Sequence, residues 1–151
     1  SAGLIVLLVG PMGRGKSRLL CRMVQRFINE TGRPARYMTT SEFMRSRQAE
    51  FGSKPQIVHR LIYTGLLAFD EIDKAARTVK GAAWVKSELF EVFDGRYSRL
   101  YPLLLAGNSA TIFEDEPGYA IQYGALMADR MRERGVVIDV SGWDSHRGAK
   151  A

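Results

Sequence analysis

Leu4, Ile5, Val6, Leu7, Leu8 and Val9 form a short apolar run without polar alternation, the pattern of a strand covered on both faces of a parallel sheet. After a glycine cluster the period changes. Leu19, Leu20, Met23, Val24, Phe27 and Ile28 recur at helical spacing and predict a helix over 17–30, ended by Thr31 and Gly32. The same alternation then repeats along the chain. Residues 35–39, 66–69, 103–106 and 136–140 read as four further strands. Between them, Thr40 or Ser41 is placed to cap a helix, and 55–63 has helical character. Trp84, Val85, Leu89, Phe90 and Phe93 give helical spacing over 82–93, with Gly95 placed to stop it, and 118–134 reads as a last helix. Strands alternating with helices predict an α/β fold, a mainly parallel five-stranded sheet flanked by helices.

Composition narrows the setting. A chain of 151 residues without repeats or Pro/Gly linkers predicts one domain, 1–151, large enough to build its own core. Cys21 is the single cysteine, which excludes an intrachain disulfide and zinc-ligand spacing and favours a reducing, cytoplasmic setting. The apolar run 4–9 is too short to span a bilayer and lacks the flanks of a signal peptide, so no membrane partner is expected. The net charge of +6 makes polyanions candidate partners, although a surplus of this size also serves as ordinary solubilising charge.

The chemistry begins in the glycine cluster. Gly10, Pro11, Met12, Gly13, Arg14, Gly15, Lys16 and Ser17 match G-x-x-x-x-G-K-[ST] between a buried strand and a helix, where a phosphate-binding loop belongs. Glycines let backbone N–H groups curl around phosphate oxygens, Lys16 reaches the β- and γ-phosphates, and the Ser17 hydroxyl is a Mg²⁺ ligand. ATP with Mg²⁺ is the expected cofactor. The strand at 66–69 runs into Asp70 and Glu71, acids suited to holding Mg²⁺ and to polarising an attacking water respectively. Asp73 reads as a helix cap or a solvated charge. Asn108, after the strand at 103–106 and Gly107, has two readings: an amide that hydrogen-bonds the γ-phosphate or the water, or an asparagine serving a turn.

These pieces occur in an order that resembles the bacterial DnaC and IstB group of AAA+ ATPases, the helicase loaders and transposase helpers. The likeness takes in the phosphate loop, "YMTTSEF" from Tyr37, the Asp70-Glu71 strand end, "DGRY" from Asp94, "ADRM" from Ala128 and "GWDSHR" from Gly142. It implies an AAA+ core and a homo-oligomer in which an arginine of one subunit reaches its neighbour's nucleotide. By position that finger is Arg130, and a guanidinium there would stabilise charge on the transferring phosphoryl group. The alternative is that Arg130, Arg132 and Arg134 form a solvated helix face. Arg147 stands where the group places a second phosphate contact. No helical lid is expected after Val140, in keeping with loaders. Loaders commonly carry an amino-terminal helicase-binding segment, whereas this sequence opens on the first strand of the core, so that either such a segment is trimmed or this protein differs from them. The ending Asp-Glu-Ile-Asp is closer to general AAA+ usage than to the Asp-Asp of many loaders.

The function this implies is ATP hydrolysis coupled to DNA, foremost by a replicative helicase loader with single-stranded DNA and a helicase as partners. An IstB-type transposase helper on duplex DNA is the alternative, and a P-loop nucleoside kinase a further one, since Gly-Pro-Met also opens thymidine-kinase loops. Arg45, Arg47, Lys74, Arg77 and Lys80 are candidate phosphate contacts, and Phe43 and Phe51 candidate stacking or core residues.

Overall fold

The structure is a computed structural model that describes residues 3–54, 56–77, 83–108 and 124–143. Its elements run β1 (Ile5–Val9), α1 (Lys16–Thr31), β2 (Ala35–Thr39), α2 (Thr40–Ala49), α3 (Gln56–Tyr63), β3 (Leu66–Asp70), α4 (Ile72–Arg77), α5 (Ala83–Ser98), β4 (Leu103–Gly107), α6 (Gly124–Arg134) and β5 (Gly135–Asp139). The five strands form one sheet in the order β2-β3-β4-β1-β5, and every pairing is parallel.

The unbroken apolar runs are explained by two cores. Ile5, Leu7 and Val9 of β1 face one core, built with Leu61 of α3, Leu89 and Phe93 of α5 and Met127 and Met131 of α6. Val6 and Leu8 face the other, where Leu20 and Val24 of α1 cover the sheet with Ala68 and Leu104. A strand whose alternate residues enter two cores has no position left for a polar side chain.

Two local expectations are corrected. Thr39, not Thr40 or Ser41, caps α2, its side chain accepting from the Glu42 N–H at 3.1 Å. Thr40 is fully buried and its hydroxyl donates to the Glu71 carbonyl at 2.9 Å, tying the start of α2 to the end of β3. Gly95 does not stop α5, which continues to Ser98. Its value is space, because a Cβ there would meet Ile62 of α3 at 3.1–3.2 Å. The described part of the last helix is α6, and the segment 118–123 expected ahead of it lies outside the described residues.

Candidate nucleotide site

Sheet order assembles the site. With β4 between β1 and β3, the loop after β1, the acids after β3 and the asparagine after β4 meet at the carboxyl edge of neighbouring strands, where open α/β sheets bind ligands. A cavity of about 400 Å³ opens there, lined among others by Met12, Lys16, Ser17, Asp70, Glu71 and Asn108.

The phosphate loop supplies an anion cradle. Gly10 has φ +147°, and a Cβ there would lie 2.9 Å from Val140, so a side chain is excluded both by backbone and by space. Gly15 enters α1 in the left-handed region with φ +83°, no side chain caps the helix, and no acid occupies its first turn. The first N–H groups of α1 are therefore left for a ligand at the positive end of a sixteen-residue helix. Lys16 is buried and folds its ammonium back onto the carbonyls of Gly10 and Pro11, the latter at 3.2 Å, with Asn108 Oδ1 at 3.4 Å. Burial holds its pKa below the ordinary lysine range, while Asp70 and Asp73 pull it the other way. A desolvated cation beside uncapped helix N–H groups suits a phosphate chain.

Asp70 is buried and each of its oxygens is engaged. Oδ2 accepts from Ser17 Oγ at 2.5 Å and from the Tyr37 hydroxyl at 2.6 Å, and Oδ1 accepts from the Glu71 N–H at 2.8 Å. Burial, then the hydrogen bond to Asp70, pushes the Tyr37 phenol well above its usual pKa. The Ser17 and Asp70 oxygens face one cavity as a hydroxyl and a carboxylate, a hard donor set that fits Mg²⁺ when phosphate and water complete the shell. Glu71 follows with φ +59°, a left-handed backbone that a residue with a Cβ adopts only under tertiary constraint. That constraint comes from its N–H on Asp70 and its carbonyl on Thr40; Glu71 lines the cavity, with its carboxylate 3.1 Å from Lys74 Nζ.

Among the expected site residues, those of the phosphate loop, Asp70, Glu71 and Asn108 come together. Arg130 does not join them. It sits on α6, bound to Asp94 of α5 through Nε at 2.7 Å and Nη2 at 2.6 Å, with its guanidinium 4.4 Å from the Tyr97 ring centre. Arg147 lies outside the described residues, as do Lys80 and the side chain of Arg77. Asp73 is buried against β4 and its carboxylate accepts the Asn108 N–H, which the reading as a cap or solvated charge missed. Tyr37 was also missed as a partner of Asp70. The only sequence signal for it was its place within "YMTTSEF".

The expected basic surface is partly committed elsewhere. Arg47 makes a two-pronged pair with Glu88 at 2.6 and 2.7 Å, and Lys74 pairs with Glu71, whereas Arg45 is exposed. Phe43 is fully buried, edge-on to Phe69, and so belongs to the core, while Phe51 is exposed.

Known proteins share this architecture. The fold is similar to that of the DnaC helicase loader, at 15% identity and a TM-score of 0.73 over 91% of this chain and 78% of that one. DnaI matches at 15% identity and a TM-score of 0.72, covering 97% of this chain and 76% of that one. The replication initiator DnaA bound to AMPPCP and single-stranded DNA matches at 18% identity and a TM-score of 0.72 over 92% of this chain, which spans only 40% of that structure. At such identities the likeness is one of fold, and it agrees with the DnaC-like order of motifs. No curated protein matches the sequence. A model of the ATPase family associated with various cellular activities (AAA) matches residues 6–117, most of the sheet and the whole cavity lining. The chain belongs to the AAA family of ATPases.

Proposed function

We propose that the chain, acting as a single domain, binds ATP with Mg²⁺ in this cavity, hydrolyses it, and uses the cycle as a replicative helicase loader on single-stranded DNA. The observation that carries the hydrolytic reading is the convergence of Lys16, Ser17, Asp70, Glu71 and Asn108 on one cavity, with Glu71 held at φ +59° directly after Asp70. Lys16 and the uncapped N–H groups of α1 hold the phosphates, and Ser17 and Asp70 hold the metal. Mg²⁺, when bound, neutralises phosphate charge as the γ-phosphoryl group is transferred. Glu71 orients and deprotonates the attacking water, and the Asn108 amide fixes its approach. Arg130, released from Asp94, supplies the finger to a neighbouring subunit, and the terminal Arg147 adds a phosphate contact.

The helicase-loading part rests on the motif order and on the fold shared with DnaC and DnaI, and the DNA part on the net charge of +6. Duplex DNA in place of single strands would mark the transposase-helper alternative. The test of the hydrolytic core is a pair of variants read by nucleotide binding and by turnover. Lys16→Ala removes a contact made in the ground state and is expected to abolish binding. Glu71→Gln removes a group that acts mainly in the transition state, so binding persists while turnover falls about 10²-fold or more. Equal loss of binding in both variants refutes the role of Glu71.

A further inference from the structure

We infer that Asp73 is a positioning residue, which holds Asn108 at the phosphate site by accepting its backbone N–H across the β3–β4 boundary. The inference rests on the ATPase reading above and adds a residue to it.

Three features meet at this point. Asp73 lies in α4, three residues beyond Asp70, yet it is buried, because α4 turns back against the end of β4. Its Oδ2 accepts from Asn108 N, and the residue before that asparagine is Gly107. A Cβ on Gly107 would come 2.6 Å from Asp73 Oδ1 and 3.0 Å from Ile72 Cγ1. The Gly107 backbone is not left-handed, so what glycine contributes here is room for the carboxylate. Asn108 in turn places its Oδ1 3.4 Å from Lys16 Nζ, and Asp73 is among the carboxylates that favour the charged form of that lysine. The run from Asp73 through Asn108 to Lys16 therefore links the acidic segment after β3 with the phosphate loop by way of β4.

The physical consequence concerns the reach of a short side chain. The Asn108 amide extends only a few ångströms from its backbone, and β4 ends at Gly107, beyond which the sheet ladder no longer fixes the main chain. A charge-assisted bond to the N–H of Asn108 fixes its Cα, and with it where the amide can point. Asp73 borders the same cavity, but its Oδ2 is committed to the Asn108 N–H, and it acts through Asn108.

The test uses the full chain and the variants Asp73→Ala, Asp73→Asn, Asn108→Ala and the double alanine variant. Turnover, the affinity for AMPPCP and the amide proton shift of Asn108 by NMR are the readouts. Asp73→Ala is expected to lower kcat about tenfold, as for loss of a positioning contact, with AMPPCP affinity within about threefold of the parent. Asp73→Asn keeps an acceptor oxygen and recovers most of that loss. The double variant is no slower than Asn108→Ala alone, because both changes remove one unit. The Asn108 amide proton moves upfield in Asp73→Ala and stays near its parent position in Asp73→Asn. Parental turnover in Asp73→Ala, additive losses in the double variant, or an unmoved Asn108 amide each overturns the inference. A parent chain without turnover overturns the ATPase reading instead, and the amide shift then still decides on Asp73.

Discussion

Arg96 is the largest fully buried side chain among the described residues, and no carboxylate accompanies it. Its Nη1 donates to the carbonyls of Leu61, Ile62 and Thr64 at 2.9, 3.1 and 2.6 Å, and its Nη2 to those of Gly65 and Pro102 at 3.2 and 2.7 Å. The guanidinium thus caps the C-terminal end of α3 and fastens the entries to β3 and β4, the two strands that deliver Asp70 and Asn108. Arg96→Met keeps an apolar stem and removes every donor. Five orphaned carbonyls at the low end of the usual cost come to about 5 kcal/mol, because some can find water once the fork is gone. Returning the guanidinium to water in the unfolded reference no longer matters, which offsets about 2 kcal/mol and leaves a net loss near 3 kcal/mol. For a chain of this size that lowers Tm by about 6–12 °C in a thermal melt followed by circular dichroism. Arg96→Lys fares little better, since one ammonium cannot span carbonyls on both α3 and β4. Arg99→Met, exposed in the turn just after α5, is the control and stays within about 0.5 kcal/mol. Burial lowers the Arg96 pKa to about 10. The folded state therefore sheds this proton before the unfolded state does, and the pH effect, a rise in stability, is confined to pH above about 10. Between about pH 6 and 9 the gap between parent and Arg96→Met is constant. A melting temperature within about 2 °C of the parent, or a gap that varies across that range, refutes the reasoning.

Two further outcomes concern assembly and DNA. If Arg130 serves a neighbour, turnover per subunit rises with protein concentration, Arg130→Ala flattens that rise while keeping nucleotide binding, and mixing it with Lys16→Ala restores activity; parental turnover of Arg130→Ala at every concentration refutes the finger. If single-stranded DNA is bound through phosphate contacts, affinity measured by fluorescence anisotropy falls at least about tenfold between roughly 50 and 200 mM salt and depends little on sequence, whereas no binding at low salt removes DNA as a partner.

What the sequence revealed and what it concealed differ by the range of the interactions involved. The central strands β1, β3 and β4 were legible because burial on both faces leaves an apolar run such as 4–9 that needs no knowledge of its neighbours. The phosphate loop was legible for a related reason: its chemistry is done by contiguous backbone, and Gly10, Gly15 and Lys16 carry it within eight residues. Gly95 misled because a local rule assigns glycine to helix ends, while here the residue serves the approach of α3, whose Ile62 lies 3.1 Å from the position of a Cβ. Asp73 misled in the same direction. Within its own segment it looks like a cap, and only the insertion of β4 beside β3 brings the Asn108 N–H onto it from 35 residues away. Arg130 and Asp94 are 36 residues apart, and Tyr37 and Asp70 are 33 apart. Each is a side-chain pair made by helix packing or strand order and is invisible to any periodicity. The chemical residues of this site were therefore readable where a short motif holds them, whereas the residues that aim them depend on the sheet order β2-β3-β4-β1-β5, which no local pattern encodes.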